Sequence, residues 1–187
     1  MRLVVVYDAC VLYPAPLRDF LIRLAGTGLF AAKWTDRIHD EWIHSLLMKR
    51  PDLESRLSRT RELMNTAVPD SLVTGYEEYI DLVELPDPDD RHVVAAAIRS
   101  SAQIIVTTNL KDFPESALQA HDLEAVHPDE FSIMQMDLNE GQVVRLAHHH
   151  RMALKNPPKS PEEYLDTLRS QGLVATADRL SAYQDLL

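Results

Sequence analysis

Leu3-Val4-Val5-Val6-Tyr7, followed at once by Asp8, is the stretch that decides the fold. The run is apolar, rich in β-branched valine and free of polar alternation, as is typical of a strand buried in a parallel sheet. An acid directly after such a strand needs a partner, because an unpaired buried charge is costly. The stretch therefore predicts a first parallel strand with a functional carboxylate at its end.

A second strand repeats this arrangement near the middle of the chain. Ile104–Val106 is apolar and ends in Thr107, Thr108 and Asn109, with Asp112 just beyond. The carboxyl ends of parallel strands meet at one edge of a sheet, where sites form in α/β proteins. We therefore expect Asp8, Asn109 and Asp112 to lie together although they are far apart in sequence.

Helices are predicted between these strands from apolar spacing and capping residues. They cover Leu17–Ala25, a segment from Ile38 to Leu47 capped by Thr35 or Asp36, a charged segment from Asp52 to about Thr66, and His92–Ser100. Alternation of strands with helices predicts an α/β sandwich with a mostly parallel central sheet.

The C-terminal part of the chain is expected to be helical after one last short strand or loop at Val126–Phe131. A helix is predicted from Asn139 to Lys155, followed by a proline-rich break and further helices, the first capped by Ser160. The histidine run His148–His150 lies inside a helix, where neighbouring side chains point about 100° apart. We therefore expect a solvated or partner-facing surface there rather than a metal site.

The composition is that of an ordinary globular protein, with 45% hydrophobic and 26% charged residues. No apolar run approaches the roughly 20 residues of a membrane span, and the N-terminal apolar run meets Asp8 too soon for a signal peptide. A cytoplasmic protein without membrane contact is therefore expected. The single cysteine, Cys10, excludes an internal disulfide; a catalytic thiol is an alternative to the favoured small buried residue.

The net charge of −10 disfavours a purely electrostatic grip on nucleic acid. Bound divalent cations would invert the local charge, and a basic partner would complement the acidic surface. Four acids occupy positions near buried elements, where a negative charge is energetically unfavourable. Carboxylates that cluster together persist only with bound cations or protons. Oxygen ligands without a Cys or His pattern point to Mg²⁺ or Mn²⁺. These acids are Asp8, Glu41, Asp90 and Asp112.

Each acid also has an ordinary structural interpretation. Asp90 would serve as a helix N-cap, Glu41 as a solvated helix residue, and Asp112 as a turn residue. Asp8 has the weakest ordinary interpretation, because it ends a buried strand. Their joint placement is what favours a site.

Four segments in order resemble the PIN-domain family: VVYDACVL (5–12), TDRIHDEWIHSL (35–46), LPDPDDRHVVAAAI (85–98) and IIVTTNLKDFP (104–114). The resemblance covers roughly residues 2–131, and DPDDRHVVAAA with TTNLKDFP is the pattern of a subgroup similar to VapC-type toxins of toxin–antitoxin pairs. It implies a Rossmann-like α/β/α fold, a Mg²⁺- or Mn²⁺-dependent endoribonuclease, and inhibition by a small cognate antitoxin. The corresponding domain prediction is a PIN-like nuclease domain at 1–135 and a helical extension at 136–187.

The family's acids fall on Asp8, Glu41 and Asp90, with the fourth on Asp112 or replaced by Asn109. Asp112 is favoured, and Asn109 would then be a neutral ligand or substrate contact. Asp87 and Asp89 rival Asp90, and Asp87 is expected to line the same pocket. Thr107 matches the family's hydroxyl at the strand end and is expected to orient a water or a carboxylate. The basic residues Arg91 and Lys111 lie beside these acids and are candidates to contact RNA phosphate.

Several alternatives remain open from sequence. The chain would also fit a non-catalytic PIN-like interaction module. A phosphotransfer receiver needs adjacent acids early and a late lysine, and a haloacid-type hydrolase needs an acid where Cys10 stands; both are disfavoured. A homodimer is a further expectation, whereas the RNA target and the role of the C-terminal helices are open.

Overall fold

The computed structural model describes residues 2–187. The strands are β1 (Val4–Tyr7), β2 (Ala31–Lys33), β3 (Ile104–Val106) and β4 (Glu124–Val126). The helices are α1 (Ala9–Leu12), α2 (Ala15–Ala25), α3 (Asp36–Leu47), α4 (Glu54–Ala67), α5 (Arg91–Ser100), α6 (Glu115–Leu118), α7 (Pro128–Ala153), α8 (Pro161–Ser170) and α9 (Val174–Ser181).

The chain divides into two compact units. The first contains the residues up to Tyr13 and Phe30–His127, and the second contains Pro14–Leu29 and Pro128–Leu187. Helix α2 therefore belongs to the second unit although it follows β1 closely in sequence. The predicted domain boundary between residues 135 and 136 stays a prediction.

The first unit is built on a parallel sheet with the strand order β2-β1-β3-β4. Val5, Val6 and Tyr7 of β1 are fully buried, as is expected for a central strand covered on both faces. The alanine-rich helix α5 packs on β1 and β3, and α6 packs on β4. The predicted α/β class, with a parallel central sheet and a helical C-terminal region, is confirmed.

The strand ends leave the sheet side by side. The backbone N–H of Asp8 donates to the Val106 carbonyl at 3.1 Å, and that of Thr107 donates to the Val126 carbonyl at 3.0 Å. Backbone pairing thus continues one residue beyond β1 and β3. The carboxyl ends of β1 and β3 thus lie side by side, which brings Asp8 next to Thr107 at one edge of the sheet.

Two segments near the other strands differ from the sequence expectation. The apolar patch at 29–32 contributes the edge strand β2, which begins at Ala31. The last strand ends at Val126, so the prediction of a strand or loop over Val126–Phe131 was wrong in its second half. Pro128 instead begins α7, because proline suits the first turn of a helix and Asp129 and Glu130 favour its positive end.

In the second unit, α7 is interrupted at Asn139, whose backbone is non-helical (φ −158°, ψ 81°). The Asn139 side chain accepts a hydrogen bond from the Gln142 N–H at 3.1 Å, which is the geometry of an N-cap. The predicted helix start at Asn139 therefore corresponds to the beginning of the second half of α7. Ser160 and Glu163 form the capping box that begins α8, which confirms the predicted Ser160 cap.

The histidine run is not uniformly exposed as the sequence suggested. His149 is exposed, but only 3% of His150 is accessible. The His150 ring contacts the Tyr164 hydroxyl at 3.0 Å and the Asp19 carboxylate at 3.1 Å. Consecutive helical positions face different surroundings, so one histidine joins the core of this unit while its neighbour faces solvent.

No helix among residues 2–187 combines the length and apolarity needed to cross a lipid bilayer.

A buried hydrogen-bond network fixes α3 in the first unit. The Asn65 side-chain carbonyl accepts from the Trp34 indole at 2.8 Å and contacts His39 Nε2 at 3.0 Å. The Trp42 indole donates to His39 Nδ1 at 3.2 Å. Because an indole can only donate, Nδ1 is unprotonated and the proton lies on Nε2. Burial lowers the pKa of His39 and keeps the ring neutral.

We expect Asn65→Ala to lower the free energy of unfolding by about 2–4 kcal/mol, because it leaves two buried N–H groups without an acceptor. Urea unfolding followed by tryptophan fluorescence measures the change. Ser58→Ala on the exposed side of α4 is the control and should change stability by less than about 0.5 kcal/mol. Equal stability of the two variants would contradict the network.

Candidate functional site

Asp8 lies at the carboxyl end of β1 and is 6% accessible. Its Oδ1 accepts the Ala9 N–H at 2.7 Å, and its Oδ2 accepts the Thr107 hydroxyl at 2.8 Å. Hydrogen bonds to a carboxylate favour its charged form and fix its orientation. The sequence predicted that this buried acid needs a partner. The structure supplies two: the N–H at the start of α1 and the hydroxyl at the end of β3.

Cys10 completes the connection between the two strand ends. Its thiol donates to Asp8 Oδ2 at 3.0 Å, and Sγ accepts the Thr108 N–H at 3.3 Å. Burial, and then the negative charge of Asp8, raise the pKa of Cys10 to about 11. The thiol is therefore protonated at neutral pH, which argues against a catalytic thiolate.

Asp90 ends the one-turn helix Pro88–Asp90 and precedes α5. It occupies the N-cap position, but its side chain makes no capping hydrogen bond. Asp87 accepts the Asp89 N–H at 2.9 Å and caps the short turn instead. The ordinary interpretation of Asp90 as a cap is therefore not supported by its side-chain contacts.

The electrostatics single out Asp90. Burial, and then the negative charges of the other acids, together raise its pKa from 3.8 to about 7. These neighbours are Asp8, Asp87, Asp112 and Glu41. The fold thus brings the predicted acids into electrostatic range of one another.

Glu41 lies on α3, with 35% of its side chain accessible. Two basic side chains meet its Oε1: Arg37 Nε at 3.2 Å and His92 Nε2 at 2.8 Å. Arg37 also donates to the Asp89 carbonyl at 3.3 Å. These contacts join α3 to the turn that carries Asp90.

The fourth position contains both candidates. Asp112 lies in the one-turn helix Leu110–Asp112, and its Oδ2 contacts the Asn109 amide. Asn109 lines the cleft that contains Asp8, whereas Asp112 does not. Which of the two serves as the fourth ligand stays a prediction.

The cleft at this edge of the sheet has a volume of 410 Å³. Asp87, Arg91 and Lys111 do not line it. Arg91 is half-buried, Lys111 is exposed, and their contact with RNA stays a prediction. The lining residues are Asp8, Ala9, Cys10, Tyr13, Glu41, Trp42, Ser45, Asp90 and Asn109.

The donor set fits a hard divalent cation in its chemistry. Carboxylate and amide oxygens are the ligands that Mg²⁺ and Mn²⁺ prefer. The pKa of Asp90 is raised by burial and then by negative charges that a cation would neutralise. Within residues 2–187, however, no three His, Cys, Asp or Glu side chains converge closely enough to hold an ion. Binding would therefore require the carboxylates to approach one another.

Comparison with known proteins agrees with this fold. The model of the PIN domain matches residues 4–111. The chain belongs to the PIN-domain family. A second model, described as the VapC50 C-terminal domain, matches residues 128–182.

A similar protein is "Putative ribonuclease VapC50" of Mycobacterium tuberculosis. The two sequences are 39% identical over 119 residues, which cover 62% of this chain and 70% of that protein. The predicted resemblance to VapC-type proteins is confirmed. No solved structure matches the chain.

Sequence reasoning missed the contact between His92 and Glu41. His92 is fully buried near the start of the apolar helix α5. A histidine among valines and alanines on a buried helix face was the available signal, since a buried polar group needs a partner.

In metal-free protein, Asp90 should make stability depend on pH. Folding raises the pKa of this carboxyl from 3.8 to about 7, so the folded protein binds its proton more tightly than the unfolded chain does. The stability that this proton contributes is fully present below pH 3.8 and is lost as the pH rises through about 7. Asp90→Asn removes that loss, so its melting temperature should exceed that of wild type at about pH 8 by roughly 3 °C or more and by less at about pH 5.

Thermal unfolding followed by circular dichroism in chelator tests this dependence. The exposed acid Asp81, which does not line the cleft, supplies the control Asp81→Asn. A difference between Asp90→Asn and wild type that is the same at both pH values would contradict a raised pKa of Asp90.

Proposed function

We propose that this protein is a metal-dependent endoribonuclease whose site is the cleft containing Asp8, Glu41 and Asp90. The observation that carries the proposal is the cleft at the carboxyl edge of the sheet, which Asp8, Glu41 and Asp90 line from separate parts of the chain. Burial and the neighbouring acids raise the pKa of Asp90 there to about 7. Perturbed groups of this kind concentrate at functional sites. The similarity to a protein named as a ribonuclease supports RNA as the substrate.

In this proposal Asp8, Glu41 and Asp90, with Asp112 or Asn109, would hold one or two Mg²⁺ or Mn²⁺ ions. Such ions supply Lewis acidity, which makes water a better nucleophile near neutral pH and stabilises a phosphodiester as its charge develops. The hydrogen bonds from Ala9, Thr107 and Cys10 keep the Asp8 oxygens in one orientation. Rigid placement of this kind avoids reorganisation during the reaction.

The proposed reaction is hydrolysis of an internal phosphodiester bond. Water oxygen bonds to phosphorus, the bond from phosphorus to the 3′ oxygen breaks, and the 3′ oxygen leaves with a proton. The products are a 5′-phosphate and a 3′-hydroxyl. Asn109, which lines the cleft, would contact the phosphate as a neutral donor, and Arg91 and Lys111 are further candidates for contact with the RNA backbone.

The family resemblance extends the proposal to partners. We propose that the protein is the toxin of a toxin–antitoxin pair and that a small cognate antitoxin inhibits it. A basic antitoxin would complement the chain's net charge of −10. A homodimer stays a prediction.

Asp8→Asn should reduce RNA cleavage in Mg²⁺ by about 100-fold or more, because it replaces a fixed anionic ligand with a neutral amide of the same size. Gel analysis of end-labelled RNA measures the rate, and excess chelator should abolish wild-type cleavage. Asp81→Asn is the control and should cut at the wild-type rate. Cleavage by Asp8→Asn at that rate, in a preparation free of other nucleases, would refute the proposal.

A non-catalytic PIN-like interaction module is the second candidate. It is favoured by the lack of a preassembled group of three ligating side chains within residues 2–187. Titration calorimetry with Mn²⁺ separates the two functions. An endoribonuclease should bind Mn²⁺ in the wild type and more weakly in Asp8→Asn, whereas the module should show no binding that depends on Asp8.

A further inference from the structure

A fully buried histidine lies directly behind one of the proposed acids. His92 has no accessible surface, and its Nε2 is 2.8 Å from Oε1 of Glu41. The ring N–H is not aligned with this oxygen, and neither ring nitrogen makes a hydrogen bond of good geometry within residues 2–187. A buried imidazole N–H needs an acceptor, and the Glu41 carboxylate is within reach after a small rotation.

Only one carboxylate oxygen of Glu41 has partners in the described part of the chain. Arg37 and His92 both contact Oε1, whereas Oε2 has no hydrogen-bond partner among residues 2–187. Arg37 is exposed, so solvent weakens its hold, and it shares α3 with Glu41. His92 is shielded from solvent and belongs to α5, so it connects two elements that each carry or adjoin a proposed ligand.

We infer that His92 is a positioning residue, which fixes Oε1 of Glu41 so that Oε2 faces the cleft beside Asp90. The inference rests on the proposed function, because it assigns the orientation of a ligand in the proposed site. Ligands of metal ions are commonly oriented by a hydrogen-bonded neighbour, and loss of such a neighbour lowers metal affinity by about 10–100-fold. Without His92, Glu41 would adopt other rotamers of its long side chain and reach the site less often.

The test is the Mn²⁺ affinity of the purified full chain, measured by titration calorimetry. His92→Leu removes both ring nitrogens and should weaken binding about tenfold. His92→Gln places an amide donor near the position of Nε2 and should stay within about threefold of wild type. His44, an exposed histidine on α3, supplies the control His44→Leu, which should bind as wild type does.

A double-mutant cycle distinguishes positioning from a general structural effect. In a Glu41→Gln background, His92→Leu should lower Mn²⁺ affinity by less than about twofold, because the carboxylate it orients is gone. Equal affinity of His92→Leu and wild type, or an equal loss with and without the Glu41 carboxylate, would overturn the inference. If His92→Leu does not fold, His92→Asn replaces it, since its shorter amide should fail where glutamine succeeds; equal affinities for the two amides would also overturn it.

A metal-free measurement keeps this inference separate from the proposed function. In wild type without metal, Glu41→Gln should shift the His92 imidazole resonances in nuclear magnetic resonance spectra, whereas Asp81→Asn should not. Unchanged His92 resonances would refute the contact itself. A wild type that binds no Mn²⁺ and cuts no RNA, but shows the resonance shift, would refute the nuclease proposal and the metal-positioning role together, while leaving the contact intact.

Discussion

Repulsion among carboxylates at the carboxyl edge of the sheet is the constraint on which the first unit depends. Asp90 is half-buried and lies near four other acids, and burial followed by their negative charges raises its pKa to about 7. No gain in packing requires acids to gather in this way, and their repulsion costs stability unless protons or cations are present. The fold therefore accepts a local cost, as functional sites commonly do.

The surrounding structure limits this cost, because hydrogen bonds and ion pairs hold two of the acids in place. Asp8 accepts hydrogen bonds from Ala9, Thr107 and Cys10, and Glu41 meets Arg37 and His92. These partners come from α1, from the end of β3, from α3 and from α5, so each of the two acids has at least one contact from an element other than its own. The buried network of His39, Asn65 and two tryptophans then fixes α3, on which Glu41 lies.

Much of this organisation could be predicted from sequence because it depends on local patterns. The valine run marked β1, and Ile104–Val106 marked β3. Short edge strands gave weaker signals: β2 has only three residues, and β4 begins with the exposed Glu124. The assignment of α2 to the second unit could not be predicted, because helical spacing does not say which partner an apolar face will meet.

The sequence by itself determined the class of fold and the edge of the sheet at which Asp8, Glu41 and Asp90 line a cleft, because strand ends and helix starts are set by neighbouring residues. Only the tertiary structure decided that Asn109 and not Asp112 lines the cleft, that Cys10 is a protonated hydrogen-bond donor, and that His92 lies behind Glu41. Those facts depend on side chains brought together from distant parts of the chain, and periodicity carries no information about the direction in which such side chains meet.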